Sequence, residues 1–184
     1  MRVITGKYKG RHFDVPRSFK ARPTTDFAKE NLFNVLRSYL DFEAAPVALD
    51  LFAGTGSITL ELLSRGCSRV VSVEKDVMHY GFIRSVVDKL QDLSADIIRA
   101  DVFRYIEKCR EQFDFIFADP PYALKELPHL PNFILSRPLL RPDGIFVLEH
   151  GQANDFSDHP HFLEHRSYGS VNFSLFKSVA NQQD

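Results

Sequence analysis

The stretch VALDLFAGTGSITLELLSRG, residues 47–66, decides the architecture of the chain. Its apolar start, VALDLF, predicts a buried strand, and SITLELLSRG predicts a helix that stops at Gly66. Gly54 and Gly56 lie in the turn between them, where glycine permits positive φ angles and the close approach of a ligand. The helix after the turn presents free backbone N–H groups, which favour an anionic group. The stretch therefore predicts one strand–turn–helix unit with a binding loop.

Strands and helices alternate along the chain on the carboxyl side of this unit. The further predicted strands are 69–74, 95–100, 113–118 and 145–150, and the further predicted helices are 76–90, 102–109 and about 124–137. Such alternation predicts an α/β fold with a parallel, doubly wound sheet. Residues 162–170 and 171–177 differ, because they read as an antiparallel hairpin with alternating apolar residues in its second strand. The sheet is therefore predicted to be mostly parallel and closed by a C-terminal hairpin.

The first 40 residues predict a small extension to this sheet. Two short strands, RVIT and RHFDV, flank a turn that runs from Gly6 to Gly10. A proline-bounded linker, PRSFKARP, leads to a predicted amphipathic helix over residues 24–40. We therefore expect an N-terminal hairpin and helix extension at 1–40 and a second domain at 41–180.

Composition excludes several protein classes. The chain has 184 residues, of which 44% are hydrophobic and 26% are charged, as in an ordinary soluble domain. It contains no run of about 18 apolar residues, and its first residues resemble no secretory signal. Two cysteines are too few for a disulfide framework or a cysteine zinc site. These features predict a cytoplasmic protein, and the lack of an unexplained apolar surface stretch predicts a monomer.

Charge is unevenly distributed. The net charge is −1, yet residues 1–22 hold seven basic side chains and one acid. A basic arm on an acidic body suggests a polyanionic partner. A solvated terminus without a partner is the alternative that charge alone leaves open.

Acids follow two further predicted strands. Glu74 ends the second strand, 20 residues after Gly54, where a carboxylate can accept both ribose hydroxyls of a nucleoside. Asp101 follows the third strand and can meet an adenine amino group. S-adenosylmethionine fits this arrangement, whereas NAD usually requires a third glycine where this chain has Thr59.

The sequence DPPY, residues 119–122, follows the predicted strand FDFIFA. This motif resembles that of methyltransferases that act on exocyclic amines, and because such an amine is not basic, the enzyme must orient it rather than deprotonate it. Asp119 and the Pro120 carbonyl can accept its two hydrogens and stabilise the positive charge that develops on nitrogen. Two prolines hold that carbonyl still, and Tyr122 can stack on an unstacked base.

These motifs resemble one bacterial family. LDLFAGTGS, Glu74 and DPPY are similar to the S-adenosylmethionine-dependent methyltransferases that act on exocyclic amines. GKYKGR at 6–11, RPTTD at 22–26 and KENLFN at 29–34 extend the resemblance to the family that methylates guanine N2 in bacterial 16S ribosomal RNA. The similarity covers residues 2–177, and it implies a Class I, Rossmann-like methyltransferase fold.

The resemblance implies a set of site residues and partners. The catalytic residues would be Asp119, Pro120, Pro121 and Tyr122. The cofactor-binding residues would be Asp50, Phe52, Gly54, Thr55, Gly56, Glu74, Lys75, Asp101 and Val102. The substrate-binding residues would be Lys7, Lys9, Arg11, Arg22 and Thr25. The cofactor would be S-adenosyl-L-methionine, and the partner would be 16S rRNA within an assembling small ribosomal subunit.

Other interpretations remain open at this point. A DNA adenine-N6 methyltransferase is one alternative, because the four residues of DPPY do not by themselves identify the base, although many such enzymes carry asparagine where this chain has Asp119. A non-catalytic binder of S-adenosylmethionine or RNA is a second alternative, against which the intact DPPY argues. The histidines of HPHFLEH, residues 159–165, suggest a metal only weakly, and no metal site is predicted.

Overall fold

The described residues of the computed structural model, 1–21 and 23–178, form a sheet of seven strands with helices on both faces. The strands are β1 (Val47–Leu51), β2 (Arg69–Glu74), β3 (Ala95–Arg99), β4 (Phe113–Ala118), β5 (Leu140–His150), β6 (Phe162–Tyr168) and β7 (Val171–Lys177). The helices are α1 (Asp26–Leu36), α2 (Ser57–Ser64), α3 (Val77–Leu90), α4 (Val102–Lys108) and α5 (Leu130–Leu135), with a 3₁₀ turn at Leu127–His129.

The sheet has the order β3-β2-β1-β4-β5-β7-β6. Strands β1 to β5 pair in parallel, and β7 pairs antiparallel with both β5 and β6. The predicted fold is therefore confirmed, including its closing hairpin. The direction of winding reverses between β1 and β4, and at such a point the carboxyl ends of the strands open a crevice for a ligand.

Register places the ends of the central strands level with one another. Leu51 at the end of β1 pairs with Val73 of β2 and with Ala118 of β4. Ala118 pairs in turn with Leu148 of β5. The residues that follow these positions therefore lie side by side along one edge of the sheet.

Two apolar layers hold the helices on the sheet. Helices α1, α2 and α3 contribute to the layer on one face, and α4 and α5 contribute to the other. Strand β4 serves both layers, since Phe115 and Phe117 face one and Ile116 and Ala118 face the other. Burial on both faces explains why this strand is a continuous apolar run. Within the described ranges, no helix combines the length and the apolar character that a membrane crossing requires.

The N-terminal hairpin is less regular than predicted. Its strands are reduced to one antiparallel bridge between Arg2 and His12, flanked by backbone hydrogen bonds between Val3 and Arg11 and between Met1 and Phe13. The prediction of two strands was therefore wrong in extent. The cause is that the hairpin directs several of its amides to another element, helix α2, instead of pairing them internally.

Buried charges fix the hairpin to α2. The Glu61 carboxylate, fully buried, accepts hydrogen bonds from the backbone N–H groups of Ile4 (2.9 Å) and Thr5 (3.0 Å). The Lys29 ammonium lies 3.7 Å from Glu61 and donates to the Arg2 carbonyl oxygen at 2.6 Å. A buried charge is tolerated only when it is paired and hydrogen-bonded, so this network positions the first residues of the chain.

Helix α1 is shorter than the predicted 24–40. Thr25 is its N-cap, and the Thr25 hydroxyl oxygen accepts a hydrogen bond from the Ala28 amide at 3.2 Å. The helix ends at Leu36, and hydrogen-bonded turns continue the chain to Leu40. Leu36 and Leu40 are both buried, so the predicted apolar face persists through the turns.

We predict that Gly6→Ala destabilises the protein more than Gly10→Ala. Both glycines have positive φ, +90° and +80°, so both substitutions incur a similar backbone cost of about 1–2 kcal/mol. A Cβ at Gly6 would lie 1.8 Å from the Ser64 carbonyl oxygen, whereas a Cβ at Gly10 would meet nothing within 4 Å. We therefore expect Gly6→Ala to lower the free energy of unfolding by roughly a further 1–3 kcal/mol in urea titrations. Equal losses would show that the hairpin is not docked as described.

Candidate active site

A cavity of about 990 Å³ opens at the carboxyl edge of the sheet, where the winding reverses. Its wall combines the loop after β1 with the ends of β2, β4 and β5. The cavity brings together most of the predicted cofactor and catalytic residues, namely Asp50, Phe52, Gly54, Thr55, Glu74, Lys75, Asp101, Asp119, Pro120, Pro121 and Tyr122. Residues from the first strand and from the loop after the fourth thus share one site.

Other predicted residues lie away from the cavity wall, and their roles stay predictions. Gly56 caps α2 with a φ of 78°, and a Cβ there would lie 3.0 Å from Ile83. Val102 is buried at the start of α4. Thr25 caps α1, and the three basic side chains Lys7, Lys9 and Arg11 belong to the N-terminal hairpin. Arg22 lies outside the described residues.

Glu74 organises the loop after β1. One of its carboxylate oxygens accepts the Gly54 amide at 2.7 Å, and the other accepts the Asp76 amide at 2.8 Å. Each oxygen retains a second lone pair, so the group can still accept hydrogens from a ligand. Its exposed fraction is 9%. Glu74 therefore holds this loop in place, and its role as a ribose acceptor stays a prediction.

Asp50 and Phe52 shape the same loop from β1. The Thr59 hydroxyl donates to the Asp50 carboxylate at 2.6 Å, which explains the use of threonine where a dinucleotide-binding loop has its third glycine. Burial raises the pKa of Asp50 to about 7, and the nearby Glu74 carboxylate adds to the shift. Phe52 has a φ of 57°, a left-handed conformation that is unusual outside glycine and typical of functional loops.

Asp101 is held by two elements. One carboxylate oxygen accepts the amides of Phe103 (3.1 Å) and Arg104 (3.3 Å), so that Asp101 caps α4. The other oxygen lies 3.2 Å from the Lys75 ammonium. Both Asp101 and Lys75 line the cavity, and their pairing keeps the carboxylate directed along its rim.

The DPPY segment forms another part of the cavity wall, beside the end of β1. The Asp119 amide donates to the Leu51 carbonyl oxygen at 3.3 Å, which continues the β1–β4 pairing by one step. Pro120 is buried and Tyr122 is 46% exposed. Burial raises the pKa of the Asp119 carboxyl well above its usual range, and repulsion from Glu149 and Asp50 raises it further. The rigid segment thus holds a carboxyl group that is poorly solvated in the free protein.

Glu149 belongs to this site, whereas the sequence equally favoured an ordinary strand end and a residue that lines the substrate mouth. It lines the cavity, and its exposed fraction is 6%. The Tyr122 hydroxyl donates to its Oε1 at 3.1 Å, whereas its buried Oε2 has no hydrogen-bond partner among the described residues. Burial raises the pKa of Glu149 to about 7. The sequence feature that could indicate this role is the place of Glu149 at the end of a predicted buried strand, the next strand along the chain after the one that precedes DPPY.

The linker between hairpin and α1 also reaches the site, which no sequence pattern indicated. Lys20, Ala21 and Thr24 line the cavity. The Phe19 ring packs against His79 of α3, with 4.6 Å between ring centroids, and against Phe82 at 5.5 Å. This contact places the linker beside the glycine loop after β1, where it lines the cavity.

The chemistry of the wall fits S-adenosylmethionine better than a dinucleotide. The cofactor offers a ribose diol, an ammonium group and a sulfonium cation to a wall that carries the carboxyl groups of Asp50, Glu74, Asp101, Asp119 and Glu149. The diphosphate of NAD would bring two negative charges into the same space. The residues present therefore suit a cationic nucleoside.

Comparison with known proteins identifies the family. A family model described as "Conserved hypothetical protein 95" matches residues 1–177. The Escherichia coli (strain K12) protein "Ribosomal RNA small subunit methyltransferase D" is 28% identical over 98% of this chain and 91% of its own length. The chain belongs to the family that this model describes. Its predicted membership in the family of bacterial rRNA methyltransferases is thereby confirmed.

Two further similar proteins cover nearly the whole chain. A Bacillus subtilis protein named "Putative rRNA methyltransferase YlbH" is 33% identical over 96% of this chain and 98% of its own. A solved structure of a hypothetical protein from Thermus thermophilus is 30% identical over 97% of this chain and 99% of its own, with a TM-score of 0.83. The family resemblance therefore includes the N-terminal hairpin and the C-terminal strands.

We predict that Asp50→Asn changes how stability depends on pH. Folding raises the pKa of Asp50 from 3.8 to about 7, so the folded state binds more protons between these values and stability falls as pH rises through them. Asparagine cannot ionise and can still accept the Thr59 hydroxyl. In urea titrations, we expect the free energy of unfolding of the variant to rise by at least ~1 kcal/mol relative to that of wild type as the pH increases from 4 to 8, since one pKa unit corresponds to about 1.4 kcal/mol. A difference that is constant with pH would contradict the burial of this carboxyl.

Proposed function

We propose that the protein transfers a methyl group from S-adenosylmethionine to the exocyclic N2 of a guanine in 16S rRNA, within an assembling small ribosomal subunit. The observation that carries the proposal is the common cavity of Glu74 and DPPY. Glu74 belongs to the cofactor end, and Asp119 and Tyr122 belong to the end that would receive a base. The rRNA methyltransferases among its relatives support the choice of RNA.

The protein's residues would act mainly by orientation. When bound, the cofactor supplies an electrophilic methyl group. Asp119 accepts one hydrogen of the guanine amine and the Pro120 carbonyl accepts the other, so that the nitrogen lone pair is directed at the methyl group. Both acceptors oppose the positive charge that develops on nitrogen. The half-exposed Tyr122 ring offers a surface on which an extruded base can stack.

The remaining features are assigned in the same proposal. Residues 1–40 would contact RNA and residues 41–180 would carry the chemistry. The protein would act as a monomer in the cytoplasm, where its rRNA substrate is assembled. Lys9 and Arg11 are exposed and form no ion pair with any described residue, so they are available for phosphates. Lys7 lies 2.9 Å from the buried Asp92 carboxylate, and it is therefore partly a structural residue.

The direct test is to identify the methylated nucleoside. Purified protein is incubated with isotopically labelled S-adenosylmethionine and, separately, naked 16S rRNA, small subunits lacking the modification, or duplex DNA. Digestion and mass spectrometry should find N2-methylguanosine in the RNA. N6-methyladenine in the DNA would favour the adenine alternative. Cofactor and RNA binding without any transfer would favour a non-catalytic binder.

We predict that Asp119→Ala lowers the single-turnover rate by about 10²–10³-fold, because its carboxylate is used mainly in the transition state. Cofactor affinity, measured by calorimetry, should stay within a few-fold of wild type. Stability should not fall, since the substitution removes the repulsion between Asp119 and Glu149. A near-normal rate would exclude a catalytic role for the DPPY carboxylate.

We predict that replacing Lys9 and Arg11 together with alanine weakens RNA binding regardless of sequence. Phosphate contacts position a nucleic acid without reading it. Each lost contact should make the plot of log affinity against log salt shallower by roughly 0.7–0.9 units. Cofactor binding and the free energy of unfolding should not change. Lys7→Ala is the comparison, because it should reduce stability by removing the partner of Asp92. An unchanged salt slope in the double variant would assign RNA binding to another surface.

A further inference from the structure

Glu149 occupies a position that the reaction described above does not use. It follows Leu148 of β5, and Leu148 pairs in parallel register with Ala118 of β4, the residue before Asp119. Glu149 and Asp119 are therefore neighbours at the ends of adjacent strands, which lie about 4.8 Å apart. Both residues line the cavity, and repulsion from Glu149 contributes to the raised pKa of Asp119, as expected for carboxyl groups that lie close together.

The two oxygens of Glu149 differ in their surroundings. Oε1 accepts the Tyr122 hydroxyl at 3.1 Å. Oε2 is buried and has no hydrogen-bond partner among residues 1–21 and 23–178. Buried polar atoms in native proteins are nearly always paired, so an unpaired oxygen in a cavity wall indicates a ligand that supplies the donor.

Tyr122 fixes which oxygen of Glu149 is left free. Its hydroxyl holds Oε1, and its ring lies close to the backbone at Gly151. A Cβ at Gly151 would lie only 3.1 Å from the Tyr122 ring carbon Cδ2. Because residue 151 has no side chain, the Tyr122 ring fits beside it. In this position the Tyr122 hydroxyl holds Oε1, so Oε2 is the oxygen that stays free.

Resting on the proposed function, we propose that Glu149 determines specificity for guanine by accepting the N1–H of the target base through Oε2. Guanine presents N1–H beside one hydrogen of its N2 amine on the Watson–Crick edge, so two adjacent carboxyl groups can accept these two hydrogens while the Pro120 carbonyl accepts the other amine hydrogen. Adenine presents an N1 lone pair beside its amine, and a carboxylate oxygen facing that lone pair would be repelled. Asp119 then orients the amine, and Glu149 identifies the base that carries it.

2-Aminopurine separates these two roles. It keeps the amine at C2 but has a lone pair in place of the guanine N1–H, and it lacks the oxygen at C6. Small subunits are assembled with either guanine or 2-aminopurine at the nucleotide that the wild-type protein methylates. Single-turnover methyl transfer is then measured for both bases at one pH. A site built around a hydrogen bond rejects an analogue that lacks it strongly, so wild type should prefer guanine by at least about 100-fold.

Glu149→Gln inverts the hydrogen-bonding character of the free position. Its amide oxygen can still accept the Tyr122 hydroxyl, which leaves the amide NH₂ to face the base and to donate to an N1 lone pair. The preference for guanine should fall at least tenfold in this variant. Glu126→Gln is the matched control, because Glu126 is exposed and does not line the cavity, and its preference should equal that of wild type.

The outcomes are distinct. Equal loss of rate on both bases, with an unchanged preference, would overturn the proposal and leave Glu149 as a support for Tyr122. If Glu149→Gln transfers the methyl group to neither base, binding is measured instead by 2-aminopurine fluorescence in the presence of S-adenosylhomocysteine. Tighter binding of the 2-aminopurine subunit by the variant than by wild type supports the proposal. Equal or weaker binding by the variant overturns it. Absence of transfer to guanine by the wild-type protein would overturn the proposed function itself, and the role of Glu149 with it.

Discussion

The geometry of the cavity depends on the carboxylate of Glu74. Its two oxygens hold the Gly54 amide at 2.7 Å and the Asp76 amide at 2.8 Å, and so join the loop after β1 to the start of α3. Hydrogen bonds to an ionised acceptor are about twice as strong as neutral ones. The glycine loop is thereby held open at the edge of the sheet, where the same carboxylate retains lone pairs for a ribose. One acid at a strand end thus shapes the cavity, and under the proposed function it also binds the ribose of the cofactor.

The other acids of the cavity destabilise the folded protein while no ligand is bound. Asp50, Asp119 and Glu149 are gathered within one wall, and burial together with mutual repulsion raises the pKa of Asp119. Groups with strongly shifted pKa values concentrate at functional sites for this reason. A sulfonium cation and the N–H groups of a purine are the partners that such a wall lacks. Under the proposed function, the carboxyl groups that destabilise the free protein therefore favour the binding of both the cofactor and the base.

Local patterns predicted the sheet, because strand and helix periods and the turn glycines are properties of neighbouring residues. They also located Glu74, Asp101 and Asp119, since parallel strands bring their carboxyl ends to one edge. Contacts between distant segments could not be predicted in this way. The Lys29–Glu61 pair joins α1 to α2, and no pattern among neighbouring residues indicates that these two charged side chains are buried together. Likewise, only the folded chain shows that the linker anchored by Phe19 reaches the cavity.

The most direct test of the central role of Glu74 is cofactor affinity in Glu74→Gln. Glutamine has one acceptor oxygen, so it cannot hold both the Gly54 and Asp76 amides. Losing a hydrogen bond to a charged acceptor typically costs ~1.5–3 kcal/mol, which corresponds to an affinity at least about tenfold lower. Calorimetric titration with S-adenosylhomocysteine should show that loss, while the exposed Glu126→Gln variant should bind like wild type. Equal affinity in Glu74→Gln and wild type would contradict the dependence of the cavity on this carboxylate.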